Sequence, residues 1–215
     1  SVVAAEKVRH ENEENYVGIH YDLTDENQEV DFPAIHTTLI STVTEEHIAP
    51  NDGTIALTDT VTYENIVPGL EYIMRGTLMV KETGEVFVDA NNNPITSQIK
   101  FTPNSANGTV DITFTFDSAL LEDGITLVAF ESLIIVVDDS DVVITTHNDI
   151  NDVDQTVSIP TIHTTFFDRD LADVDDFDNA TVGENVTLVD TVHYEDIIPG
   201  LEYTLYGTIM IKETN

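Results

Sequence analysis

Cysteine and tryptophan are both absent, and only 7 of 215 residues are Lys or Arg, against 41 Asp or Glu. The missing cysteine excludes disulfides, so stability has to come from the core or from another kind of cross-link. The formal net charge of −34 excludes nucleic-acid binding through a phosphate-neutralising patch, and it opposes contact with anionic membranes. It reads as a solvated, self-repelling surface suited to an extracellular protein. No run approaches the roughly 18 apolar residues of a membrane span, and no basic segment leads into an apolar one at the start. An export signal or wall anchor is therefore expected outside this stretch of sequence. Three Asn-x-Thr sequons, at Asn107, Asn179 and Asn185, read as turn chemistry.

What is present is repetition. Residues 33–83 contain PAIHTT and LTDTVTYENIVPGLEYIMRGTLMVKET, and residues 160–214 contain PTIHTT and LVDTVHYEDIIPGLEYTLYGTIMIKET. A third echo joins GIHYDLTDENQEV (18–30) to TTHNDINDVDQTV (145–157). Gln28 to Gln155 and Thr37 to Thr164 are both separated by 127 residues (155 − 28 and 164 − 37). A fixed period of this length indicates modules in series. The expected division is a C-terminal part of a preceding repeat in 1–31, one complete repeat in 32–158, and the N-terminal half of a following repeat in 159–215.

Within the complete repeat, short alternating segments predict strands over 34–43, 53–63, 70–81, 86–88, 95–101, 108–117, 125–133, 134–137, 142–147 and 156–159. Turn-like breaks separate them, among them 50–53, 67–69, 82–85, 91–94, 103–108 and 122–124. Helix is scarce, with one turn expected in 118–123. The pattern predicts an all-β chain of immunoglobulin-like antiparallel β-sandwich modules in tandem.

Alternation then places polar residues on the apolar face. Asp59 lies among Ile55, Leu57, Val61 and Tyr63, and Asp190 holds the matching place in the last repeat. Glu131 lies among Leu127, Ala129 and Leu133, and Gln155 accompanies Val157 and Ile159. Thr37 lies between Ile35 and Leu39, and Thr164 between Ile162 and Phe166. Val143 and Thr145 lead to His147. Carboxyls buried without partners are unfavourable by several kcal/mol and tend to stay protonated, so two acids and an imidazole in one small interior imply that they neighbour one another.

Such a set suits a single acyl transfer. A Thr hydroxyl is a weak nucleophile that needs a base, and His is the usual one. A Gln carboxamide needs its carbonyl oxygen polarised, which a carboxylic acid kept neutral by burial can do. Attack would release ammonia and leave an ester, with both reactants held by one fold.

LVAFE (127–131), DTVTYENIVPG (59–69), IHTT (35–38) and HNDINDVDQTV (147–157) resemble the VaFE-type repeat, the intramolecular Thr–Gln ester-bond domain of Gram-positive surface adhesins. The resemblance implies a self-generated ester between the first and last strands of a cell-wall-anchored shaft, with neighbouring repeats as partners and any host ligand bound by another domain. It implies no cofactor and no turnover enzyme, only a reaction that consumes its own nucleophile. Carried over, the pair is Thr37 with Gln155, assisted by Asp59 and Glu131 as the acidic pair and His147 as the proton-transfer residue. Thr38 is the alternative nucleophile, because Ile40 gives it an apolar companion. The first partial repeat retains Glu6, His20 and Gln28, with Ala5 where the motif has Phe; the last retains Thr164 and Asp190.

Three other readings compete. A Lys–Asn isopeptide has only Lys81 and Lys100 to draw on in the complete repeat, neither on its first strand. A turnover enzyme needs an open pocket beside His147 and Glu131, which the alternation turns inward. Acidic loops at 138–141, 148–154 and 173–178 offer oxygens for calcium, without EF-hand spacing.

Overall fold

The computed structural model describes residues 1–12, 14–121, 124–169, 180, 183 and 185–212. The acidic run 173–178, the sequon at Asn179, and Glu122 and Asp123 of the expected turns lie outside the described residues. The chain is all-β. Its first part holds β1 (Val2–Val3), β2 (Glu6–Arg9), β3 (Tyr16–His20) and β4 (Glu29–Val30). The central part holds β5 (Ala34–Ser41), β6 (Thr54–Glu64), β7 (Tyr72–Val80), β8 (Thr96–Phe101), β9 (Gly108–Asp117), β10 (Thr126–Val137), β11 (Ser140–His147) and β12 (Thr156–Ser158). The last part holds β13 (Thr161–Asp168) and β14 (Leu188–Glu195). Among the described residues no helix is long and apolar enough to cross a membrane.

Two antiparallel sheets face each other in the central part. One has the order β5-β6-β9; the other has β11-β10-β7-β8, with β12 also on β10. Their inner faces supply one core, including Ile35, Leu39, Leu57, Val61, Met74, Leu78, Phe114, Leu127, Leu133 and Val157. Gly76 on β7 admits that packing: a Cβ there would lie 2.5 Å from both Ile112 Cδ1 and Phe114 Cζ. It is also the cross-strand partner of Glu131, so the absent side chain lets the opposite sheet close over the acid.

One edge of β10 is shared end to end. β12 pairs with its first residues (Val128↔Thr156) and β11 with the rest (Glu131↔His147), so the 148–155 loop leaves and returns at the middle of β10. There the Ala129 N–H donates to the Gln155 carbonyl at 3.1 Å, and the Leu39 N–H donates to the Asp154 carbonyl at 2.8 Å. A parallel bridge, Ile48↔Ser158, continues the seam between the segment after β5 and β12. β5 and β12, the first and last strands of the central part, are therefore neighbours.

Several sequence expectations change in detail. The segments at 125–133 and 134–137 form one continuous strand, and 86–88 contributes only isolated bridges, Met79↔Val86 and Val88↔Pro94. The turn at 118–123 is a single short turn, Ser118–Leu120. Val143 does not share the inward face; it is 54% exposed. The register slips between Leu133 and Ile134, where Thr145 and then Val143 are the successive partners, and this bulge reverses the alternation on β11.

Candidate functional site

Four of the expected side chains converge inside the sandwich. Asp59 and Gln155 are 0% exposed, Glu131 1% and Thr37 6%, whereas Thr38 is exposed on the opposite face of β5. Period-two alternation in β5, β6 and β10 turns each of these polar groups inward with its apolar companions. Gln155 reaches the interior from the loop end just before β12, where the seam with β5 brings it in.

The Gln155 amide Nε2 donates to Glu131 Oε2 at 2.7 Å. Thr37 Oγ1, both Asp59 oxygens, Glu131 Oε1 and Gln155 Oε1 are buried without a hydrogen-bond partner. Groups this deeply buried are normally satisfied. A carboxylate only accepts, so a single added proton changes the picture. With it, Asp59 and Glu131 hydrogen-bond each other, and both face the Thr37 hydroxyl. Burial raises both carboxyls above their ordinary range. Glu131, with Asp59 beside it as the second cause, is pushed up to about 10. The arrangement is a nucleophile, an amide and an acid pair holding one proton, closed off from water.

His147 sits at the rim, its side chain 16% exposed. Its Nδ1 lies 3.1 Å from the Ile35 carbonyl oxygen and its Nε2 2.9 Å from Asp152 Oδ2. The expectation that His147 takes the Thr37 proton is therefore not matched by a hydrogen bond to that hydroxyl; both ring nitrogens are engaged elsewhere. Asp152 was not singled out from the sequence. Its signal was there: an Asp five residues after His recurs as Asp25 after His20.

The parts before and after the central one carry similar geometry in halves. In the first, Glu6 pairs with His20 across β2 and β3, as Glu131 does with His147, and Gln28 Nε2 donates to Glu6 Oε2 at 3.0 Å. In the last, Phe166 pairs with Asp190 and Thr164 with Val192, as Leu39 pairs with Asp59 and Thr37 with Val61. Glu6, His20, Thr164 and Asp190 are exposed, since neither half has an opposing sheet packed over it among the described residues.

The competing readings find little. Among the described residues no group of three or more His, Asp or Glu is placed to hold a metal. Asp138 and Asp139 adopt positive φ in the β10–β11 hairpin, Asp141 pairs with Arg75 at 2.9 Å, and Asp149 accepts from the Asn151 N–H. The acids at 138–141 and 148–154 are thus used in turns and pairs. A cavity of about 770 Å³ lies on the uncovered face of the last part, lined by Ile162, Val192 and Tyr194, away from His147 and Glu131.

A closed interior that presents a hydroxyl to a carboxamide over a protonated acid pair defines a self-cross-linking structural domain. The sequence matches the family described as T-Q ester bond containing domain over residues 33–159 and again over 160–215, and the chain belongs to that family. No curated protein matches it. Two solved structures of a bacterial adhesin from Mobiluncus mulieris, containing intramolecular disulfide, isopeptide and ester bond cross-links, are similar. One, in space group P21, is 14% identical with a TM-score of 0.49, covering 60% of this chain and 57% of that chain. The other, in space group P1, is 11% identical with a TM-score of 0.49, covering 76% of each.

The acid pair sets a pH dependence. Because the folded chain keeps a proton that the unfolded chain releases, stability falls as pH rises from the ordinary glutamate value of 4.5 toward about 10. In Thr37→Ala, the expected slope is up to about 1.4 kcal/mol per pH unit for one retained proton. Adding Asp59→Asn and Glu131→Gln together should flatten it, as read by denaturant unfolding at several pH values.

Proposed function

We propose that residues 32–158 form one complete module in which Thr37 Oγ1 and Gln155 Cδ become joined as an ester, once per chain, with release of ammonia. The observation that carries this reading is the convergence of Thr37, Asp59, Glu131 and Gln155 in an interior that gives their reacting atoms no other partner. Asp59, facing the hydroxyl, takes its proton as Oγ1 attacks Cδ. The protonated Glu131 supports the charge growing on the amide group. Collapse breaks the C–N bond, and the departing nitrogen, already held by Glu131, collects the proton needed to leave as ammonia. One O–H and one C–N bond are broken, one C–O and one N–H bond are made, and nothing is oxidised. The fold supplies the orientation that makes such a weak nucleophile competent.

In this reading the module is a tension-carrying unit in the shaft of an extracellular, wall-anchored adhesin. Residues 1–31 and 159–215 belong to neighbouring repeats, and host contact falls to a different domain. It is no turnover enzyme, because Thr37 is consumed. Intact mass tests the chemistry: the folded wild-type chain is expected one ammonia lighter than its sequence. Glu131→Gln keeps the shape, loses the exchangeable acid, and is expected to slow bond formation by about a hundredfold or more. A folded wild-type chain at full sequence mass would sink the proposal.

A further inference from the structure

His163 on β13 and His193 on β14 are direct cross-strand partners. Their ring centroids lie 5.0 Å apart with planes 13° from parallel, and both side chains are exposed. Parity puts them on the face of the sheet opposite to Thr164 and Asp190, so a second sheet packed over those two residues would leave the pair in solvent. Among the described residues neither ring makes a hydrogen bond or an ion pair. Three other histidines are otherwise engaged: His20 with Asp25, His47 with the Thr156 carbonyl, and His147 with the Ile35 carbonyl and Asp152.

The central part lacks this pair. There His36 stands where His163 does, but its partner across the strands is Thr62. One position therefore separates two otherwise similar outer faces.

Directly opposed residues on antiparallel strands have Cβ atoms about 4.5–5.5 Å apart. Two imidazoles at that spacing need only tilt toward each other for one nitrogen from each to reach the same ion at about 2.0–2.1 Å. Imidazole pairs select zinc, copper or nickel, whereas calcium and magnesium take oxygen. Glu195, paired with Thr161 on the same outer face, adds a negative charge beside the rings. The net charge of −34 raises the concentration of any divalent cation near the surface.

We propose that His163 and His193 form a surface site for a divalent transition-metal ion of the zinc class. No third ligand is in place among the described residues, so water fills the remaining positions. A bound ion would clip β13 to β14 from the solvent side. The site is independent of the Thr37–Gln155 reading, since neither histidine takes part in that chemistry.

The test adds Zn²⁺ alone to the whole, metal-free chain, from about 1 μM to about 1 mM, and follows the imidazole resonances by NMR. Expected is a saturable shift of the His163 and His193 rings along one shared binding curve, unaltered by excess Ca²⁺. His193→Thr installs the residue that the central part already carries at Thr62, so the fold should tolerate it. In that variant the His163 ring should respond only at a zinc concentration about tenfold higher or more. His163→Gln should have the same effect on His193. Wild-type rings that do not move by the end of the titration overturn the proposal. So does a His163 response unchanged by His193→Thr, which would mean that each imidazole binds alone, and so does equal displacement of the rings by Ca²⁺.

Discussion

Thr37→Ala is expected to leave a folded chain at full sequence mass that is less stable by about 5 kcal/mol. The loop closed by the bond spans 118 residues (155 − 37), and chain-entropy bookkeeping for a cross-link of that size gives a figure near that value. For a module of this length the loss corresponds to roughly 20 °C in Tm. Thermal unfolding of wild type and variant, each checked by mass, measures it. Gln155→Ala should show the same full mass with a greater loss, since it also empties a fully buried site. Thr37→Ser retains the hydroxyl and should recover the bond. Equal stability of Thr37→Ala and a bonded wild type would show that closure contributes nothing.

The larger effect is mechanical. In the proposed module, force entering at residue 32 and leaving at 158 would meet the bond after five residues on one side and three on the other (32–36 and 156–158). The enclosed strands are then bypassed, and single-molecule stretching of the wild-type module is expected to show no release of their length. Thr37→Ala should release it as an added contour of roughly 400 Å, from about 3.5 Å for each extended residue. Full extension of a bonded wild-type module would contradict the placement of the bond.

Alternation carried most of the fold and the heart of the site, and its failures have physical causes. Asp59, Glu131, Gln155 and Thr37 were legible because each lies on a regularly paired strand, or at its mouth, among apolar residues of the same parity. Val143 was misplaced because a bulge adds a residue to one strand only, and the pattern within that strand does not record its partner's register. The segment at 86–88 has the composition of a strand but meets its neighbours only through single bridges. Asp152 escaped notice because it sits in a loop crowded with acids, where parity says nothing. Comparison of the two His-to-Gln intervals, HNDINDVDQ and HYDLTDENQ, would have isolated it, since both hold an Asp at the second and fifth places after His. The engagement of both His147 nitrogens could not be read from sequence, because one partner is a backbone carbonyl on a strand more than a hundred residues away.

The hairpin between β10 and β11, with Val136 and Val137 about half exposed, is an open target for a protease. In the proposed bonded module, a ring tied at residues 37 and 155 would have no single vulnerable peptide bond inside it. One nick anywhere between those positions leaves both flanks attached to each other through the linked side chains. Severing a bonded module would take a cut outside the ring, or hydrolysis of an ester buried with Gln155 away from solvent.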